Sequence, residues 1–68
     1  MKLEQLKTDI AIFKAINKIK TNKDFAAFVG IGEQTLSQIL RGVAKVGPIV
    51  WMKLEKATKG EINEEKYQ

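Results

Sequence analysis

Apolar residues return at helical spacing in successive stretches of this chain. In the first, Leu3, Leu6, Ile10, Phe13 and Asn17 line one stripe, and Ile12, Ala15, Ile16 and Ile19 line a neighbouring one. Lys14 and Lys18 mark the wet side. Either one long helix runs from about Leu3, or Thr8 and Asp9 cap a shorter one starting near Ile10. We favour an ordered helix from about Thr8, with an N-terminal turn in front of it. The apolar surface is wider than one core contact requires. Either the N-terminal segment folds back on it, or a second subunit covers part of it.

The pattern then shortens into two helices around a tight turn. Thr21 to Val29 is the first. Thr21 and Asp24 form a capping box, and Phe25, Ala26, Phe28 and Val29 give the apolar side. Gly30 falls where the helix must end in a left-handed residue. Ile31 drops from the turn into the core, and Gly32 is a permissive N-cap for the next helix, Glu33 to Arg41. Leu36, Ile39 and Leu40 form the buried face of that helix, which leaves Gln34, Ser37 and Gln38 pointing outward together. Gly42 closes it.

Residues 42–47 read as a loop. Pro48 suits the first position of a helix, where its missing N–H costs nothing, and Ile49 to Thr58 follow, with Gly60 as a stop signal. Trp51, Leu54 and Ala57, with Thr58, face inward. Trp51 is expected at the centre of the core, where its indole N–H needs a partner if fully buried. Ile49 lies about 140° around the helix from Leu54. With Met52 and Val50 it suggests a contact with another subunit. Residues 61–68 form a short tail. Asn63 is placed to cap one last helical turn with Glu64 and Glu65 at its start, stapled by Ile62 and Tyr67; the alternative is a short extended segment. The fold class is all-α, a compact domain of four to five helices.

Size and charge narrow what such a domain does. Sixty-eight residues make one domain, 1–68, near the lower limit for an autonomous core. The chain has neither cysteine nor histidine. That excludes disulfides and thiolate metal sites and removes the commonest general base. The remaining carboxylates are scattered, so we expect neither an enzyme nor a bound cofactor or metal. The net charge is +4. Residues 1–60 carry eleven basic and five acidic side chains, a net of +6, while 61–68 carry one and three. A basic body fits a polyanionic partner. No apolar run is long enough to span a membrane, and a cytoplasmic protein with no small-molecule substrate is expected.

Ala26, Gly30, Ile31, Leu36 and Ile39, together with the string GIGEQTLSQILRG from Gly30 to Gly42, resemble the DNA-binding unit of the lambda-repressor/Cro superfamily, here residues 22–41. The resemblance runs from about Ile10 to Ile62. It implies a small phage- or prophage-type Cro repressor, a homodimer on a pseudo-palindromic double-stranded DNA operator. In this motif the start of the second helix enters the major groove. The resemblance therefore makes Glu33, Gln34, Ser37 and Gln38 the base readers. Glutamine pairs with adenine N6 and N7, and a glutamate accepts from cytosine N4. Glu33 has a second reading, as a cap for its own helix. Phosphate contacts fall to Asn22, Lys23, Thr35, Arg41 and Lys45. Lys18, Lys20, Lys53, Lys56 and Lys59 are read as solvated surface charge. The chain departs from the pattern in lacking a serine-like cap at Gly32 and in having one lysine in the loop after Gly42; no second domain is expected. Two other readings stand beside the repressor: an antitoxin that regulates its own operon, and a protein-interaction module on the same fold.

Overall fold

The computed structural model describes residues 2–68. The elements run in order α1 (Leu3–Ile16), α2 (Asn22–Val29), α3 (Glu33–Leu40), α4 (Pro48–Ala57) and a terminal 3-10 turn, Glu64–Tyr67. The described residues form no strand, and the tail takes the helical alternative. None of the helices is long and apolar enough to cross a membrane.

The caps of the short helices are local and follow the sequence closely. The Thr21 hydroxyl accepts from the Asp24 N–H at 3.0 Å. Gly30 ends α2 at φ 91°, in the left-handed region. Gly42 closes α3 at φ 77°; the Val43 N–H returns to the Gln38 carbonyl and the Gly42 N–H to the Ile39 carbonyl, both at 3.0 Å. These are the paired bonds of a Schellman ending. α1 and α4 end in the same way without glycine. Lys18 and Lys59 take the left-handed position at φ 58° and 55°. Ile19 then donates to the Lys14 carbonyl, and Gly60 to the Glu55 carbonyl, each at 2.8 Å.

The core gathers one stripe from each element. Leu6, Ile10 and Phe13 come from α1, Phe25, Ala26 and Val29 from α2, Leu36 and Ile39 from α3, Trp51 and Leu54 from α4, and Ile62 and Tyr67 from the tail. Phe13 meets Phe25 edge to face, with centroids 6.0 Å apart. Tyr67 lies nearly parallel to Trp51 at 5.8 Å. Thr58 is the buried polar exception among the described residues. Its hydroxyl donates to the Leu54 carbonyl at 2.7 Å and accepts from the Ile62 N–H at 3.0 Å. The pair of bonds satisfies it and seats Ile62 in the core.

Two expectations change. α1 starts at Leu3 and not near Thr8. The Thr8 hydroxyl donates to the Glu4 carbonyl inside the helix and caps nothing. Leu6 is completely buried and the Lys2 N–H donates to the Tyr67 carbonyl at 3.0 Å. Packing against the tail therefore extends the helix N-terminally past its local start signal at Thr8 and Asp9. Asp9 turns to the tail as well: it accepts from the Tyr67 hydroxyl at 2.6 Å and pairs with the Lys66 ammonium at 3.2 Å. The second correction is that the N-terminal segment is part of α1 and does not fold back over the outer stripe of that helix. Ile12 and Ile16 are 52% and 72% exposed.

Candidate nucleic-acid interface

α3 is fixed from behind. Leu36 and Ile39 are buried, and Leu40 and Ile31 pack against the core from either end of the helix. With 100° between successive residues, this anchoring turns the other face outward. Glu33, Gln34 and Thr35 are exposed, and Ser37 and Gln38 are half-buried along the same side. The four expected base readers thus share one accessible face of one helix. Gly32 precedes it in extended conformation with no side-chain cap.

The expected phosphate ligands surround that face in sequence and are open. Lys23, Arg41 and Lys45 are exposed. Among the described residues the ion pairs are Lys7–Glu4 and Lys66–Asp9, so no carboxylate neutralises these three cations. Arg41 follows directly on α3 as its C-cap. Lys45 lies in the α3–α4 loop beside a shallow depression that Val46, Trp51, Glu64, Tyr67 and Gln68 complete. Trp51 borders this depression and is not sealed off in the centre.

Two lysines outside the expected site reach into the helix-turn-helix. The Lys14 ammonium, from α1, donates to the Asn22 Oδ1 at 2.6 Å. It sets the orientation of the Asn22 amide and brings a further positive charge to the start of α2. Lys53, read above as plain surface charge, donates from α4 to the Gly30 carbonyl at 3.0 Å. No local pattern announces either contact, because the partners lie on different elements.

The expected subunit-contact residues divide. Ile49 and Met52, three apart and so on one face of α4, are 63% and 62% exposed. Val50 instead packs against the core and leaves that patch.

Comparison with protein families finds a match to the helix-turn-helix family over residues 14–64. Comparison with curated proteins brings no match, nor does comparison with solved structures. The matched segment runs from within α1 to the start of the terminal turn and takes in the α2–turn–α3 unit with the core that supports it. The chain belongs to the lambda-repressor-like helix-turn-helix family and is a DNA-binding transcription regulator of that type.

Proposed function

We propose that the protein is a Cro-like repressor that binds a pseudo-palindromic operator as a homodimer and carries out no catalysis. The observation that carries this reading is the single polar face of α3, uncovered while Leu36 and Ile39 hold the helix in the core. Gln34 and Gln38 offer bidentate amide contacts to adenine, Ser37 a single hydroxyl, and Glu33 an acceptor for cytosine N4. Asn22, Lys23, Thr35, Arg41 and Lys45 hold the flanking phosphates and set register without reading sequence. Ile49 and Met52 supply the contact between subunits. Two copies related by a two-fold axis then place their α3 helices in successive major grooves, about 34–36 Å apart.

The test is a selection of random duplex DNA on the purified protein at moderate salt, with the recovered sequences rebound across a salt series. An inverted repeat with half-sites about one helical turn apart is the expected result. Removing Arg41 or Lys45 by alanine substitution is expected to lower the salt slope by about one each. Weak binding with no enriched sequence would overturn the reading and turn the α3 surface towards a protein partner.

A further inference from the structure

α4 lies outside the helix-turn-helix, yet it touches the turn at a polar point. Gly30 ends α2 with its N–H donating to the Ala26 carbonyl at 2.8 Å, and the Ile31 N–H returns to the same carbonyl at 3.0 Å. Both turn amides therefore point back into α2. The Gly30 carbonyl points away from that ladder, and the partner it has is the Lys53 ammonium at 3.0 Å. A cation at a helix C-terminus also sits favourably against the helix dipole. The backbone that carries Lys53 is held firmly, because its neighbours in α4, Trp51 and Leu54, are buried. On the other side of the turn, Gly32 begins α3.

We propose that Lys53 is a positioning residue for DNA recognition. Its bond restrains the Gly30–Gly32 turn and so the tilt of α3 relative to α2, without Lys53 itself touching DNA. The proposal rests on α3 being the base-reading helix. Other roles for a lysine predict different results. A phosphate ligand contributes to the salt slope whatever the sequence; a solvated lysine contributes nothing.

The experiment compares the full chain with Lys53→Met, which keeps the aliphatic stem and loses the donors, and with Lys53→Arg, which keeps a cationic donor. Binding is measured across a salt series to the selected duplex and to a shuffled one. Amide exchange is followed by NMR in the free protein. For Lys53→Met, binding to the selected duplex is expected to weaken about three- to tenfold, as for loss of one solvent-exposed hydrogen bond of ordinary net strength. The salt slope stays unchanged, discrimination against the shuffled duplex narrows, and the Ile31 amide exchanges faster. Lys53→Arg restores most of the affinity. A salt slope lower by about one, or an unchanged affinity, overturns the proposal. If the wild type shows no sequence preference, the base-reading assignment has failed. Exchange still decides the restraint, and an unchanged Ile31 rate in Lys53→Met overturns it.

Discussion

Replacing Tyr67 with phenylalanine removes one oxygen from the middle of the fold and nothing else. The ring is completely buried and stacks on Trp51, and both features survive in Tyr67→Phe. What is lost is the hydroxyl's bond to Asp9 Oδ2 at 2.6 Å. A hydrogen bond to a charged acceptor contributes about 1.5–3 kcal/mol. Asp9 keeps the Lys66 ammonium at 3.2 Å and its side chain is 20% exposed, so water replaces part of the loss. The lower end, about 1.5–2 kcal/mol, is therefore expected. In a domain of this size that lowers the melting temperature by roughly 6–16 °C. The pH dependence gives a second check. The Tyr67 hydroxyl holds the Asp9 carboxyl below its ordinary value; burial opposes this, and Lys66 adds to the lowering. A depressed carboxyl contributes stability that is present above its ordinary pKa and is lost as pH falls through the lowered one. The penalty of Tyr67→Phe is thus full at neutral pH and shrinks as Asp9 protonates below about pH 4. At the alkaline end, burial and Asp9 push the phenol above its ordinary range. The wild type accordingly loses stability as pH rises above about 10, a loss the phenylalanine variant lacks. Thermal melts followed by circular dichroism at pH 7 and pH 3 test this. A variant that melts within about 2 °C of wild type at pH 7, or that loses as much at pH 3 as at pH 7, refutes the reasoning.

Four further outcomes are expected. Gly30→Ala meets nothing within 4 Å, so its cost is that of the left-handed backbone alone, about 1–2 kcal/mol. Gly42→Ala adds a 3.2 Å approach to Leu3 Cδ2, and its melting temperature falls further than that of Gly30→Ala. Gly32→Ser places its Cβ 3.6 Å from Thr35 Oγ1, an ordinary contact, and supplies the missing cap; urea denaturation is expected to show a gain of about 0.5–1 kcal/mol. Ile49→Glu puts a charge into the proposed subunit contact, and sedimentation equilibrium is expected to show a monomer that keeps wild-type helicity.

The parts of this fold that were legible in the sequence are those decided within a few residues. The Thr21 cap, the left-handed Gly30 and the inward side of α3 all follow from spacings of three and four, and the structure reproduces them. The start of α1 was not legible, because it depends on Tyr67. The Asp9–Tyr67 bond joins residues 58 positions apart, and Leu6 is buried in the same core as Tyr67. The same applies at the interface. The outward glutamines are implied by helical geometry, whereas Lys14 and Lys53 act across separations of 8 and 23 residues. Lysine in the left-handed position at Lys18 and Lys59 also escapes a search for glycine. At the first of these, Ile19 packs against the core directly afterwards, and that burial offsets a backbone cost of about 1–2 kcal/mol.

The bond between the Lys2 N–H and the Tyr67 carbonyl has a consequence for how the protein is made. Synthesis runs from the N-terminus, so α1, the turn and α3 exist as chain before residue 67 is joined. The helix-turn-helix makes mostly local contacts and can begin to order early. The α1–tail contact, by contrast, joins Lys2 to Tyr67 and has to wait until residue 67 is available. Until then the face of Trp51 that stacks on Tyr67 stays open. A ribosome paused near residue 60 would hold a nascent chain with α3 already synthesised but its core not yet closed.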